Sequence, residues 1–318
     1  MSVPNAPPTR PITRREVWVR MLLYPRHTLP TAVAPVLVAA ALAWRDGCLA
    51  PAAALAAFGA GWLVQLGGVF TDNYFNLRRH PDDREHAAFV QALAQGVITL
   101  GQLRRAIAAC YVVAMAVGLY LVAVGGLPAL AIGLLAIAAS LAYSAGPYPL
   151  GDHALSDPLF FATFGVLSVM GSYYVQAAAH GPAWPLWPPP GSLPLVALWA
   201  SLPVAALTTN ILVIDNIRDR EYDRSKGEVT LAVLLGRRGS LVEYGALLAL
   251  AYAVPPALWA WGGFGPALLL PLASLPYGLL VARRVAQAPT HDALVPMTPQ
   301  AGQVLLAHSA LFALGLAW

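Results

Sequence analysis

Residues 192–227 read SLPLVALWASLPVAALTTNILVIDNIRDREYDRSKG, an uncharged apolar run that leads directly into a charged segment. The uncharged part, residues 192–214, is long enough for a helix to cross the hydrocarbon of a bilayer, which takes about 20 residues. Asp215, Asp219 and Asp223 follow at a spacing of four, so they share one face of a continuing helix. The stretch therefore predicts a membrane-spanning helix that carries a ladder of carboxylates at one end.

The composition extends this prediction to the whole chain. Of the 318 residues, 58% are hydrophobic and 11% are charged, whereas charged residues make up about 25% of a typical soluble domain. We therefore predict an all-α, polytopic membrane protein, with residues 1–27 as a polar tail and residues 28–318 as one domain. Nine spans are predicted, near residues 28–44, 52–71, 106–125, 128–145, 158–179, 192–214, 241–261, 264–281 and 302–318.

The distribution of basic residues predicts the orientation. Of the 19 Lys and Arg residues, Arg45 alone falls on one side of the nine predicted spans. Basic residues are retained in the cytoplasm, so we predict a cytoplasmic N-terminus and an external C-terminus. The basic residues are spread between apolar spans, which indicates a lipid-embedded protein without a nucleic-acid partner. Cys48 and Cys110 belong to no CxxC pair, so neither a disulfide framework nor a zinc site is predicted.

A second acidic segment follows the predicted span at 52–71. It reads TDNYFNLRRHPDDRE over residues 71–85, and the two segments together hold eight of the 15 Asp and Glu residues. Asp72 and Asn76 are four residues apart, and Asp82 follows a break at Pro81. Both segments fall on the predicted cytoplasmic side, at the ends of apolar spans, where a charge is costly to bury and usually functional.

Mg²⁺ binds one or two carboxylates together with phosphate oxygens, so we predict a metal–diphosphate site. The predicted ligands of the metal and its bound water are Asp72, Asn73, Asn76, Asp82, Asp215, Asn216, Asp219 and Asp223. Arg78, Arg218 and Lys226 are predicted to contact the diphosphate. Two alternatives stay open: a solvated loop of paired charges, and a transporter whose acids line a permeation path.

Several stretches resemble the UbiA-type intramembrane prenyltransferases, and most closely the branch that prenylates 1,4-dihydroxy-2-naphthoate in menaquinone synthesis. They are Gln65-Leu66-Gly67 with Asp72-Asn73-Tyr74-Phe75-Asn76, then Gly146-Pro147-Tyr148-Pro149-Leu150, then Asn216-Ile217-Arg218-Asp219 with Thr230-Leu231-Ala232-Val233-Leu234-Leu235-Gly236. The chain departs from the branch at five places. The branch usually has Asn-Asp where this chain has Asp72-Asn73, Asp at the position of Asn76 and Asn at the position of Asp215. It usually has Glu at the position of Asp157 and Lys-Arg at the position of Glu228-Val229.

The resemblance implies a nine-helix bundle around a central cavity, in the inner membrane, with the active site facing the cytoplasm. It implies that Mg²⁺ and a polyprenyl diphosphate bind there, and that an aromatic acceptor takes the prenyl group. The predicted catalytic residues are Asp72, Asn76, Asp215, Asp219, Asp223 and Asp157, and the predicted substrate-binding residues are Asn73, Arg78, Arg218, Lys226, Asn216 and Tyr148. The acceptor could also be hydroxybenzoate, homogentisate, a porphyrin or a lipid glycerol ether.

Two further predictions concern the reacting groups. Asp157 is a candidate group for orienting the acceptor or removing its proton, and the alternative is a carboxylate that complements a helix N-terminus. An allylic cation is attracted to aromatic faces, and the candidates for shielding it are Tyr74, Tyr143, Tyr148, Tyr173 and Tyr174. Ordinary packing is the alternative for each of these rings.

Overall fold

The chain folds into a bundle of helices, as the apolar runs predict. The computed structural model describes Thr13, Arg15 and residues 28–79 and 92–318. Within these residues every regular element is helical, and one pair of extended residues, His153 and Val229, is bridged. The predicted all-α class is therefore confirmed. The division into a tail and one domain stays a prediction, because most of the tail lies outside the described residues.

Eight long elements make up the bundle. They are α1 (Thr28–Arg45), α2 (Pro51–Arg79), α3 (Leu100–Ser144), α4 (Ser156–Ala178), α5 (Leu195–Lys226), α6 (Leu231–Trp261), α7 (Pro266–Gln287) and α8 (Met297–Ala317). Helix α4 contains a π-helical stretch, Phe161–Leu167, and α7 begins as a 3-10 helix, Pro266–Ser274. A 3-10 turn, Leu150–Asp152, precedes α4, and a single helical turn, His291–Leu294, precedes α8.

Helix α3 is a hairpin of two helical arms. Its 45 residues would extend about 68 Å as one straight helix, twice the thickness of the hydrocarbon of a bilayer. Gly126 interrupts it with φ 62° and ψ −148°. The hydroxyls of Tyr111 and Ser140, on opposite arms, lie 2.9 Å apart, so the arms fold back on each other. The sequence predicts a tight hairpin here, over Gly125-Gly126-Leu127-Pro128.

By length and composition seven helices could cross a membrane, namely α2 to α8 with the turn at His291–Leu294 counted in α8. Helix α1 is apolar but shorter. Counting α1 and both arms of α3, the described residues contain nine apolar helical segments. The nine spans and the orientation of the N-terminus stay predictions.

Helix α5 lies at the centre of the bundle. Of the apolar window of α5, 83% is buried inside the protein, the highest share among the seven helices long and apolar enough to span. Gly165 of α4 lets the two helices approach closely, since a Cβ atom there would lie 2.1 Å from the Cβ atom of Ala205. Because α5 is fixed on most sides by its neighbours, the acidic end of α5 is fixed as well.

Exposed Trp residues mark the end of the bundle opposite the acidic segments. Those in the described part of the chain are Trp44, Trp62, Trp184, Trp187, Trp199, Trp259, Trp261 and Trp318, and each is at least 36% exposed. All except Trp62 lie at or near the ends of α1, α4, α5, α6 and α8 that face away from Asp215. Trp concentrates in the headgroup region of a membrane, so this end fits one membrane interface.

Candidate functional site

The carboxylate ladder of the second acidic segment lies on the last turns of α5. The helix continues through this segment and ends where Gly227 adopts a left-handed conformation with φ 83°. Asp215, Asp219 and Asp223 all line one internal cavity of about 630 Å³. The spacing of four residues therefore produces the common face that the sequence predicts.

Arg218 lies between two carboxylates of the ladder. Its Nη1 atom is 2.5 Å from Asp215 Oδ1, its Nε atom donates to Asp219 Oδ1 at 2.7 Å, and its Nη2 atom donates to the other oxygen of Asp219. The hydroxyl of Thr298 in α8 donates to Asp215 Oδ1 at 2.8 Å. His291 Nε2 lies 3.2 Å from Asp219 Oδ1. Asp215 and Asp219 thus contact Arg218 of their own helix and two groups from a distant part of the chain, Thr298 and His291.

Lys226 contacts the last carboxylate of the ladder. Its Nζ atom lies 3.7 Å from Asp223 Oδ1 and 3.1 Å from Glu228 Oε1, and its side chain is 8% exposed. All three residues line the cavity. The sequence predicts Lys226 as a diphosphate contact, and the structure places its ammonium beside the ladder, where it can donate to a phosphate oxygen.

The first acidic segment meets the second across the same cavity. Asp72, Asn73 and Asn76 lie near the end of α2, and all three line the cavity. Asp72 accepts from the Ser144 hydroxyl at 2.8 Å and from Asn76 Nδ2 at 3.3 Å. Asn73 donates to the carbonyl of Val69, whereas its buried Oδ1 atom has no partner among the described residues. The two segments, more than a hundred residues apart, therefore form one oxygen-rich end of a cavity.

Two predicted residues of the first segment are not brought to this cluster. Asp82 lies outside the described residues, so its role as a ligand stays a prediction. Arg78 is absent from the described lining of the cavity and donates to the Tyr74 hydroxyl at 3.3 Å. Arg79 is also absent from the described lining, but it donates at 2.6 Å to Oδ2 of Asp152, which does line the cavity.

Helical periodicity explains why the two arginines differ. Asp72, Asn76 and Arg79 follow at intervals of four and three and therefore share a face of α2, whereas Arg78 lies on the face of Tyr74. Burial raises the pKa of the Asp152 carboxyl above its ordinary value, and the guanidinium of Arg79 opposes that shift. The spacing thus puts Arg79 on the face of α2 that carries Asp72 and Asn76, and the diphosphate contact of Arg78 stays a prediction.

Asp157 acts on the site through a neighbour. It is 3% exposed, and both of its carboxylate oxygens lie 3.2 Å from Asn216 Nδ2. Asn216 lines the cavity, whereas Asp157 is not among the described lining residues. The structure thus gives Asp157 a contact that orients Asn216. Tyr148 is 58% exposed and stacks on His153, with ring centroids 3.7 Å apart, so the structure does not bring it to the cavity.

The rest of the cavity is mainly apolar, and aromatic rings line the part next to the acidic end. The rings of Phe160 and Phe164 stack with centroids 4.3 Å apart, and Tyr143 lies 6.1 Å from Phe160. All three rings line the cavity. We call Tyr143, Phe160 and Phe164 the aromatic wall. Of the Tyr residues predicted to shield a cation, Tyr143 alone is among the described lining residues.

The other predicted aromatic residues make unrelated contacts. Tyr173 donates its hydroxyl to Asp46 at 2.7 Å, and Tyr174 donates to the carbonyl of Gly125 at 2.6 Å, both at the Trp-rich end of the bundle. Tyr74 packs edge-to-face on Phe75.

Sequence reasoning missed Phe160 and Phe164, although their positions three and seven residues after Asp157 were a usable signal. It also missed Thr298 and His291, for which nothing local in the sequence gives a signal.

The family can be assigned once this geometry is known. Residues 32–296 match the UbiA prenyltransferase family. The chain belongs to this family. The resemblance noted in the sequence is confirmed, and the chain is a prenyltransferase and an integral, multi-pass membrane protein. Membership also removes the transporter alternative, and it gives the oxygen-rich cavity a chemical context.

Individual relatives agree over most of the chain. The 1,4-dihydroxy-2-naphthoate octaprenyltransferase of Escherichia coli (strain K12) is 32% identical over 96% of this chain and 96% of its own length. A UbiA homologue from Aeropyrum pernix K1 has a similar solved structure, with a TM-score of 0.67 at 19% identity, covering 89% of this chain and 96% of that one.

A UbiA homologue from Archaeoglobus fulgidus, solved bound to GPP and Mg²⁺, has a TM-score of 0.51 at 15% identity, covering 92% of this chain and 99% of that one. At these identities the solved structures establish the shared fold.

Proposed function

We propose that this protein transfers a polyprenyl group from its diphosphate to an aromatic acceptor, 1,4-dihydroxy-2-naphthoate, in a Mg²⁺-dependent step of quinone synthesis. One observation carries the proposal: acidic segments from α2 and α5 converge at one end of a single cavity that is otherwise mainly apolar. An amphipathic cavity of this kind suits a substrate with a diphosphate head and a hydrocarbon tail. The naphthoate enzyme of E. coli, similar over nearly the whole chain, supports the choice of acceptor.

The residues present fit a metal that is bound together with a diphosphate. Among the described residues, no three Asp, Glu, His or Cys side chains lie close enough to hold a metal ion by themselves. Mg²⁺ rarely occupies such an all-protein site and instead takes one or two carboxylates plus phosphate oxygens. The donor set offers carboxylate and amide oxygens on both sides of the cavity, including the unpartnered Oδ1 atom of Asn73.

The proposed ligands among the described residues are Asp72, Asn73, Asn76, Asp215, Asn216, Asp219 and Asp223, with Asp82 as a further proposed ligand. When bound, Mg²⁺ neutralises the negative charge that develops on the departing diphosphate. Arg218 and Lys226 bind the same oxygens, since both cations already lie at the ladder. Arg79 holds the Asp152 turn against α2 and thereby shapes the mouth of the site.

The aromatic wall serves the next step. As the bond between C1 and oxygen breaks, its electron pair leaves with the diphosphate and an allylic cation remains. Phe160 and Phe164 line the cavity close to Tyr143. Tyr143 precedes Ser144, whose hydroxyl donates to Asp72, so we place the ring faces beside C1 of the bound prenyl diphosphate. Ring faces attract a cation and exclude water. A carbon of the acceptor ring then forms the new bond to C1, and the ring releases a proton or CO2.

We place the acidic end of the bundle at the cytoplasmic face of the inner membrane. The described Lys and Arg residues other than Arg45 lie at or near this end, and the Trp-rich end lies opposite. Both features follow the usual asymmetry of membrane proteins. The aromatic acceptor, which carries a carboxylate, would enter from the cytoplasm, and the polyprenyl chain would extend into the apolar part of the cavity.

Glu228 favours a second candidate with the same fold and donor but another acceptor, namely hydroxybenzoate, homogentisate, a porphyrin or a lipid glycerol ether. Its carboxylate lines the cavity where the naphthoate branch has a basic pair. A carboxylate paired with Lys226 in place of two basic side chains changes the groups that an acceptor meets there, and this change is the reason to test the other acceptors.

The test uses purified full-length protein in lipid, labelled polyprenyl diphosphate, Mg²⁺ and each acceptor in turn. We expect product with 1,4-dihydroxy-2-naphthoate. Product with another acceptor alone would move the assignment to the second candidate. Failure to release diphosphate with any acceptor would refute both.

A further inference from the structure

The strongest interactions of the ladder are made by a residue of its own helix. Arg218 contacts Asp215 through Nη1 at 2.5 Å, and it contacts Asp219 through Nε at 2.7 Å and also through Nη2. Its side chain is 18% exposed. These are charge-assisted contacts of the fork-like kind that arginine makes with carboxylates. Two carboxylates at a spacing of four would repel each other without a cation between them. Arg218 supplies that cation.

This arrangement conflicts with metal binding at the same oxygens. Mg²⁺ approaches its ligand oxygens to about 2.0–2.1 Å, and the guanidinium of Arg218 already occupies oxygens of both Asp215 and Asp219. A divalent ion and a guanidinium on one carboxylate pair repel each other strongly in a partly buried site. The metal and Arg218 therefore compete for the carboxylates of Asp215 and Asp219.

We propose that Arg218 is an exchangeable internal counter-ion. In the protein without substrate it neutralises Asp215 and Asp219. When the metal–diphosphate enters, the metal takes the carboxylates and the diphosphate takes the guanidinium. This inference rests on the proposed function and adds a coupling between two ligands of the site, because each ligand provides the partner that the other displaces.

The exchange has a thermodynamic consequence. Metal alone must leave Arg218 without its carboxylates, and diphosphate alone must leave the carboxylates without Arg218. Each ligand therefore binds weakly alone and more tightly with the other, by an equal factor for both, which we expect to be roughly tenfold or more. The chain would hold few idle metal ions, and the complete site would assemble only around the substrate.

Removing the competitor distinguishes exchange from a purely structural role. We expect Arg218→Gln to bind Mn²⁺ alone at least tenfold more tightly than the unsubstituted protein, and to bind inorganic pyrophosphate at fixed Mn²⁺ at least tenfold more weakly. Arg224→Gln is the matched control, because Arg224 is on the same helix, is 55% exposed and pairs with Glu221. Both affinities of the control should stay within twofold.

The measurements use full-length protein in detergent micelles. Mn²⁺ binding without pyrophosphate is followed by the loss of the electron paramagnetic resonance signal of free Mn²⁺, and labelled pyrophosphate by equilibrium dialysis. Thermal melting of each variant checks folding, and Arg218→Lys provides a second variant, whose single ammonium cannot bridge two carboxylates as a guanidinium does. Arg218→Lys should shift both affinities in the same directions by smaller factors.

The two proposals fail in different ways. If the unsubstituted protein binds neither Mn²⁺ nor pyrophosphate, the proposed function is refuted together with the exchange. If it binds both, but the folded Arg218 variants bind Mn²⁺ alone no more tightly, the exchange is wrong and the proposed function stands. An equal gain in Mn²⁺ affinity in Arg224→Gln would also overturn the exchange, because it would show a general effect of charge.

Discussion

Asp219→Asn is the substitution that tests the site most directly. Asp219 is the centre of the ladder, it lines the cavity, and its side chain is 11% exposed. Asparagine keeps the size of the side chain and one oxygen acceptor, and it removes the negative charge. Any large change in activity therefore reports the charge and not the shape of the residue.

The magnitude follows from the Coulomb energy of the lost charge. Two unit charges about 4 Å apart interact by about 4 kcal/mol at the effective dielectric constant of about 20 that suits partly buried sites. Each 1.36 kcal/mol corresponds to about a factor of ten in rate. If Asp219 binds a cation that stabilises the leaving diphosphate, kcat/KM should fall on the order of a thousandfold.

Folding should be affected much less. Arg218 keeps its contact with Asp215 in the variant, and Thr298 continues to donate to the same carboxylate. We expect a small shift of the thermal transition, measured in the same detergent as activity. A variant that is folded but inactive separates the role in catalysis from a role in stability.

The assay follows transfer of the labelled prenyl group and release of diphosphate over a range of Mg²⁺ concentrations. Glu221→Gln is the matched control, since Glu221 lies on the same helix, is 67% exposed and contacts Arg220 and Arg224. The control should keep activity within about twofold. Near-normal kcat/KM in folded Asp219→Asn, or an equal loss in the control, would refute the assignment of the ladder as the metal–diphosphate site.

Three further predictions can be tested with the same preparation. Phe160→Leu should lower kcat about tenfold and raise the share of prenyl alcohol formed by water, because a cation–π contact is lost. Phe161→Leu is the control, since the Phe161 ring packs on the core, and it should change neither quantity. An unchanged ratio of prenyl alcohol to transfer product in both variants would contradict the shielding role. Gly126→Ala should lower the thermal transition, since its Cβ atom would lie 2.1 Å from the Pro185 carbonyl oxygen. The φ of 62° and ψ of −148° there belong to a backbone region that costs residues other than Gly about 1–3 kcal/mol. Gly59→Ala, with open space around it, should leave the transition unchanged. Chelation of divalent cations should abolish transfer and added Mg²⁺ should restore it; transfer that persists after chelation would argue against the metal.

Local features of the sequence were enough for the class of protein and for half of the site. Apolar runs of about 20 residues without charge indicate membrane helices, because the hydrocarbon of a bilayer accepts apolar surface that water does not. The period of the helix brings Asp215, Asp219 and Asp223 to one face, because residues four apart are neighbours in any α-helix. The same rule places Asp72, Asn76 and Arg79 on one face of α2.

The tertiary structure decided which distant groups share the cavity. Helices α2 and α5 face the same cavity, so Asp72 lines the cavity that holds the ladder, and the connection before α8 brings His291 to Asp219. The segment after α3 leaves Tyr148 exposed, while the start of α4, before its π-helical stretch, places Phe160 in the lining of the cavity. These contacts depend on the rotation and depth of each helix in the bundle. Packing between helices fixes both quantities, and the period of a single helix contains neither.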